Sequence, residues 1–88
     1  MKTNKDYILR NIAGEAILIP TGPAAARFNG MINLSDVGVF VWENLDDCAD
    51  MDQLVDKIVA SYEVDAATAR ADAQRFVDSL VETGMAEL

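Results

Sequence analysis

Two apolar rhythms divide the chain. YILRNI (7–12) and AILIP (16–20) are aliphatic, β-branched runs with Ala13-Gly14-Glu15 between them, so the pattern predicts two antiparallel strands joined by a turn. Pro20 and the TGP that follows close the second strand, because proline has no N–H to give to a ladder. AAARF (24–28) is predicted as a shorter third strand, with Asn29-Gly30 after it as a turn. Whether MINL (31–34) pairs back as a further short strand is left open by the pattern.

From Ser35 onward the apolar period becomes helical. Ser35 is a good N-cap, Asp36 suits the positive end of a helix dipole, and Leu34 and Val39 have the spacing of a hydrophobic staple. The helix 36–45 that follows puts Val37, Phe40, Val41 and Leu45 on one side, with Trp42 beside them. Phe40 and Trp42 are expected to anchor it to the core. DDCAD (46–50) reads as a polar connection. Asp50 and Gln53 form a capping-box pattern for a second helix, along which Met51, Leu54, Val55, Ile58 and Tyr62 keep helical spacing. Asp65 caps a third helix, AATARADAQRFVDSLVET, whose stripe is Ala69, Ala73, Phe76 and Leu80, and Gly84 stands where a C-terminal cap would end it. The expected fold is α+β and winged helix-turn-helix-like. An N-terminal three-stranded antiparallel sheet is followed by three helices in one domain, residues 1–88.

Composition narrows the function. With 88 residues, 51% of them hydrophobic and 25% charged, the chain suits a small globular domain with a thin stability margin. There is no histidine, which removes Ser-His and Cys-His pairs and the commonest general base. No phosphate-binding glycine motif and no CxxC is present, and the three lysines have no apolar setting. Asp46-Asp47-x-x-Asp50-x-Asp52 lacks the glycine and distal glutamate of a calcium loop, so it reads as a solvated acidic linker. Cys48 reads as a spare small residue whose carboxylate neighbours disfavour the thiolate. Neither a metal nor a cofactor is expected, and the residues argue against an enzyme. With no signal-peptide h-region and no run of about 18 apolar residues, a soluble cytoplasmic protein is expected.

Charge is unevenly placed. Residues 1–42 carry four cations against three carboxylates, net +1, whereas residues 43–88 carry three cations against twelve carboxylates, net −9. Such helices would be repelled by phosphate, which argues against DNA despite the winged-helix order. A peptide is the better ligand, because a three-stranded sheet leaves an edge for an added strand. If the third strand is that edge, Ala25, Ala26, Arg27 and Phe28 offer an approachable backbone. The flank of the third helix, with Arg70, Gln74, Val77 and Val81, would form the other wall. That flank suits a peptide with an acidic residue and apolar anchors. Equally, Val77 and Val81 would simply widen the core face while Arg70 is solvated, and both readings stand.

Phe28-Asn29-Gly30, Leu34-Ser35-Asp36, VWENL (41–45), YEVD (62–65) and FVDSLVETGM (76–85) come in an order and spacing that resemble the coenzyme PQQ synthesis protein D (PqqD) family. Ser35-Asp36 stands where the family usually has Asn-Glu, which preserves the capping chemistry. The resemblance implies a winged helix-turn-helix-like recognition element for ribosomally made, modified peptides. It would bind the leader of a precursor peptide as an added strand, within Ala24 to Asn29 here, against the third helix at Arg70, Gln74 and Val77. The leader would then be presented to a modifying enzyme, often a radical S-adenosylmethionine enzyme. Membership does not identify PQQ as the product. The other readings are a scaffold that docks on a maturation enzyme without binding free peptide, and a winged-helix transcription regulator.

Overall fold

The computed structural model describes residues 1–23, 25 and 32–88. The expected turn is tight: Ala13 and Gly14 both have positive φ, 53° and 83°, as a two-residue hairpin matched to strand twist requires. It joins β2 (Tyr7–Ile12) to β3 (Glu15–Pro20) in antiparallel register, with Leu9 opposite Leu18 and Ile12 opposite Glu15. β4 (Ile32–Leu34) lies antiparallel on the other side of β3, pairing Ile32 with Leu18 and Leu34 with Ala16. The sheet order is thus β2-β3-β4, and its third strand is the segment whose pairing the sequence pattern left open. The strand expected over 24–28 falls outside the described residues except at Ala25. That residue sits in a helical turn, its amide donating to the Gly22 carbonyl at 3.1 Å.

Three α-helices follow, at the expected positions. Ser35 accepts from the Gly38 amide at 3.2 Å and opens α1 (Asp36–Asn44). A short 3-10 turn, Leu45–Asp47, then leads towards α2 (Met51–Ser61). There Asp50 accepts from the Gln53 amide, and the Gln53 side chain reaches back to the amide of Ala49. Asp65 caps α3 (Ala66–Glu82) by accepting from the Thr68 amide at 2.7 Å. Gly84, with φ +77°, ends α3. The Gly84 amide donates to the Val81 carbonyl and the Met85 amide to the Leu80 carbonyl, satisfying carbonyls the helix leaves open.

These elements bury Leu18 from the sheet against Val41, Leu45, Leu54, Ile58, Ala69, Ala73, Val77 and Leu80 from the helices. Phe40 and Trp42 pack half-buried on that core as expected, and the Phe40 ring meets Tyr62 edge-on at 5.4 Å.

One tie was not legible in the sequence. β1 (Lys2–Thr3) pairs antiparallel with β5 (Ala86–Glu87), bringing the two ends of the described chain together. Asp46, expected as part of a solvated linker, holds this ribbon: its carboxylate accepts from the Thr3 amide at 2.7 Å, the Thr3 hydroxyl at 2.9 Å and Lys5 Nζ at 2.5 Å. The Lys5 ammonium, followed by the Thr3 amide, holds the Asp46 carboxyl below its ordinary pKa. Cys48 also departs from expectation, being 2% exposed and part of the core. Burial is the leading cause that pushes its thiol pKa up; Lys57 opposes it, and the nearby Asp47 adds less. No described helix is long and apolar enough to cross a membrane.

Candidate functional site

β4 is three residues long, and among the described residues it pairs only with β3. Its other edge therefore presents backbone groups that no described strand satisfies, the condition for accepting an added strand. The chain leaves β4 at Leu34, is capped by Ser35, and enters α1 beside α3. At Gly38 the α1 backbone and α3 come together. A Cβ there would lie 3.4 Å from Leu34 Cβ, 3.4 Å from Ser35 Oγ and 3.5 Å from Phe76 Cε1. Only glycine lets α1 sit this close to the phenylalanine ring without filling the space between them.

Two adjoining recesses open along this seam. The first, about 240 Å³, is lined by Ser35, Val37, Gly38, Val41, Ala73 and Phe76, with Asp72 on its rim. The second, about 270 Å³, is lined by Val37, Ile58, Tyr62, Val64 and Ala69, with Asp72 again and Glu63. Val37 and Asp72 border both, so the recesses form a continuous, mostly apolar groove running from the end of β4 along α3. Among the described residues, no group of three or more Cys, Asp or Glu side chains gathers as a metal site.

The residues expected from the sequence to bind peptide are not all on this groove. At about 100° per residue, Arg70, Gln74, Val77 and Val81 fall within an arc of about 60° on one flank of α3. Asp72 and Phe76 fall on the opposite flank. Arg70 faces α2 and donates to Asp52, and Gln74 donates to Asp78 at 2.8 Å. Val77 is 1% exposed within the core, whereas Val81 is 37% exposed. Of the expected strand residues, Ala25 is exposed, and Ala26, Arg27 and Phe28 lie outside the described residues. Gly38, Asp72 and the groove-facing side of Phe76 were missed. The available signal was Phe76 itself, a large ring at one margin of a stripe otherwise made of alanine and leucine.

Known proteins share this sequence pattern and fold. The sequence profile described as coenzyme PQQ synthesis protein D (PqqD) matches residues 9–86. Among curated proteins none matches significantly. A solved structure described as TbiB1 in complex with the TbiA(beta) leader peptide is similar to this chain. It has a TM-score of 0.73 and 25% sequence identity, over 97% of this chain and 93% of that one.

Proposed function

The chain belongs to the PqqD family, and from that premise we propose that it is a non-catalytic recognition element for the leader of a ribosomally made precursor peptide. The leader adds as a strand to the edge of β4 that no described strand pairs, places apolar side chains in the groove between α1 and α3, and is handed to a modifying enzyme. In this reading a radical S-adenosylmethionine enzyme is one candidate partner. The observation that carries the reading is the β4 edge, which no described strand pairs, near the Phe76 recess. The leader-peptide complex of the similar TbiB1 supports it. The docking edge is here assigned to Ile32–Leu34 rather than to residues 24–29, because Ile32–Leu34 is the strand that ends the described sheet and leads into α1. Arg70, Gln74 and Val81 stand on the other flank of α3 and are assigned no direct contact with the leader.

The arrangement asks little chemistry of the protein. Backbone hydrogen bonds along β4 supply affinity for any extended chain, and the recesses choose among side chains. A three-residue edge and two small recesses bury less than a standard interface of about 1,600 Å², so a dissociation constant in the micromolar range is expected.

Titration calorimetry tests this with a candidate precursor peptide from the same genome. Saturable binding of its leader segment, and none of its core segment, is the expected result. Tight binding of a modifying enzyme, with no leader binding before or after that complex forms, would replace this reading with a docking scaffold.

A further inference from the structure

The groove differs in charge from what its apolar lining alone requires. Asp72 stands on the rim of both recesses and Glu63 on the rim of the second. Among the described residues lining either recess there is no lysine or arginine. The two arginines of α3 are engaged with the protein's own carboxylates: Arg70 with Asp52 on α2, and Arg75 with Asp72 itself. Arg75 lies three residues along the same helix from Asp72, and both side chains are more than half exposed. Such a pair is weak, so a competing cation from a ligand displaces it at little cost.

The positive end of α1 does not reverse this balance. Its first-turn amide at Gly38 is taken by the Ser35 hydroxyl, and Asp36 adds a negative charge in the first turn. A peptide lying in the groove therefore meets apolar walls and a negative rim.

We infer that the leader recognised by this protein carries a lysine or arginine beside a pair of apolar anchors, with Asp72 as the residue that selects for that cation. The inference rests on the proposed strand addition and names the chemistry of the peptide that would add. In an extended peptide, side chains two residues apart project from the same face, so two anchors enter the groove from one side of the strand. A long cationic side chain two residues further along, on the same face, reaches the exposed Asp72 carboxylate at the rim. An acidic leader, the expectation drawn from Arg70 and the α3 flank, would instead face Asp72 and Glu63 with like charge. Among the described residues, neither arginine of α3 lines the recesses to receive it: Arg70 is turned to α2, and Arg75 borders neither recess.

The test is selection of a random, unstructured peptide library on the immobilised protein, followed by affinity measurements on the enriched sequences with the charge of the cationic position varied. Enriched peptides are expected to contain two apolar residues at alternate positions and a Lys or Arg two residues beyond them on the same face, and replacing that cation by Glu should weaken binding about tenfold. With Asp72→Asn the Lys-over-Glu preference should shrink to roughly threefold or less, and with Asp72→Lys it should invert. Asp56→Asn, which removes an exposed α2 carboxylate away from both recesses, should leave the preference unchanged. Equal change from Asp56→Asn would mean that net charge alone attracts the peptide, and would overturn the assignment to Asp72. Enrichment of apolar peptides without a cation would also overturn the inference while leaving strand addition intact. Failure to enrich any extended peptide would overturn strand addition itself.

Discussion

Gly38 faces the ring of Phe76 across the seam between α1 and α3, so closely that a Cβ at Gly38 would lie 3.5 Å from Phe76 Cε1. This close approach joins the exit of β4, the cap of α1 and the margin of the α3 stripe at one point. The recess it creates is the part of the molecule where an added strand could place a side chain.

Gly38→Ala separates folding from binding. Its new methyl would meet its neighbours at 3.4–3.5 Å, ordinary van der Waals contact, so the helix gains propensity without a clash. Stability should hold level or rise by up to about 1 kcal/mol in thermal melts. Leader affinity should fall on the order of tenfold because the recess is partly filled. Unchanged affinity would move the anchor pocket elsewhere.

The two flanks of α3 can be told apart by one exposed residue. Arg70→Ala breaks only a surface pair with Asp52. It should change stability by less than about 1 kcal/mol and leave leader affinity within about twofold. A tenfold loss of affinity by calorimetry would return the binding wall to the flank suggested by the sequence.

The Asp46 node makes the terminal ribbon sensitive to acid. Because its folded carboxyl titrates below the ordinary value, its stabilisation is fully present above the unfolded pKa and is lost as pH falls through the folded one. Asp46→Asn should destabilise the protein by about 1 kcal/mol at neutral pH, a modest figure because the side chain is partly exposed. Urea melts of both proteins across the acid range should show the gap closing as pH falls. A gap independent of pH would mean that the charge contributes nothing.

The β2–β3 turn holds a non-glycine residue at positive φ, Ala13 at 53°. Asparagine tolerates that conformation better than alanine and is favoured in this turn type. Ala13→Asn should therefore stabilise by roughly 0.5–1 kcal/mol in denaturant melts, with no effect on leader affinity, since Ala13 lines neither recess.

Most of the architecture was legible because it rests on local signals. Ser35, Asp50 and Asp65 each cap the helix their position announced, and Gly84 ends α3 as expected. The long-range ties were not legible. Nothing local in Lys2-Thr3 says that it will meet Ala86-Glu87, and the partner of Asp46 is 43 residues away. The groove was half legible. Periodicity placed Phe76 on the apolar stripe, but which flank of that stripe faces β4 depends on how α3 packs against α1 and α2. At Gly38 that packing leaves a recess only because the residue has no side chain.

Strand addition to β4 is the central claim, and a backbone N-methyl scan of the bound leader tests it most directly. In an antiparallel or parallel ladder, alternate residues of the added strand donate to the sheet edge. Affinity should therefore drop tenfold or more when every second amide of the bound stretch is methylated, and stay nearly level at the residues between. A uniform response along the peptide, or none, would contradict the account.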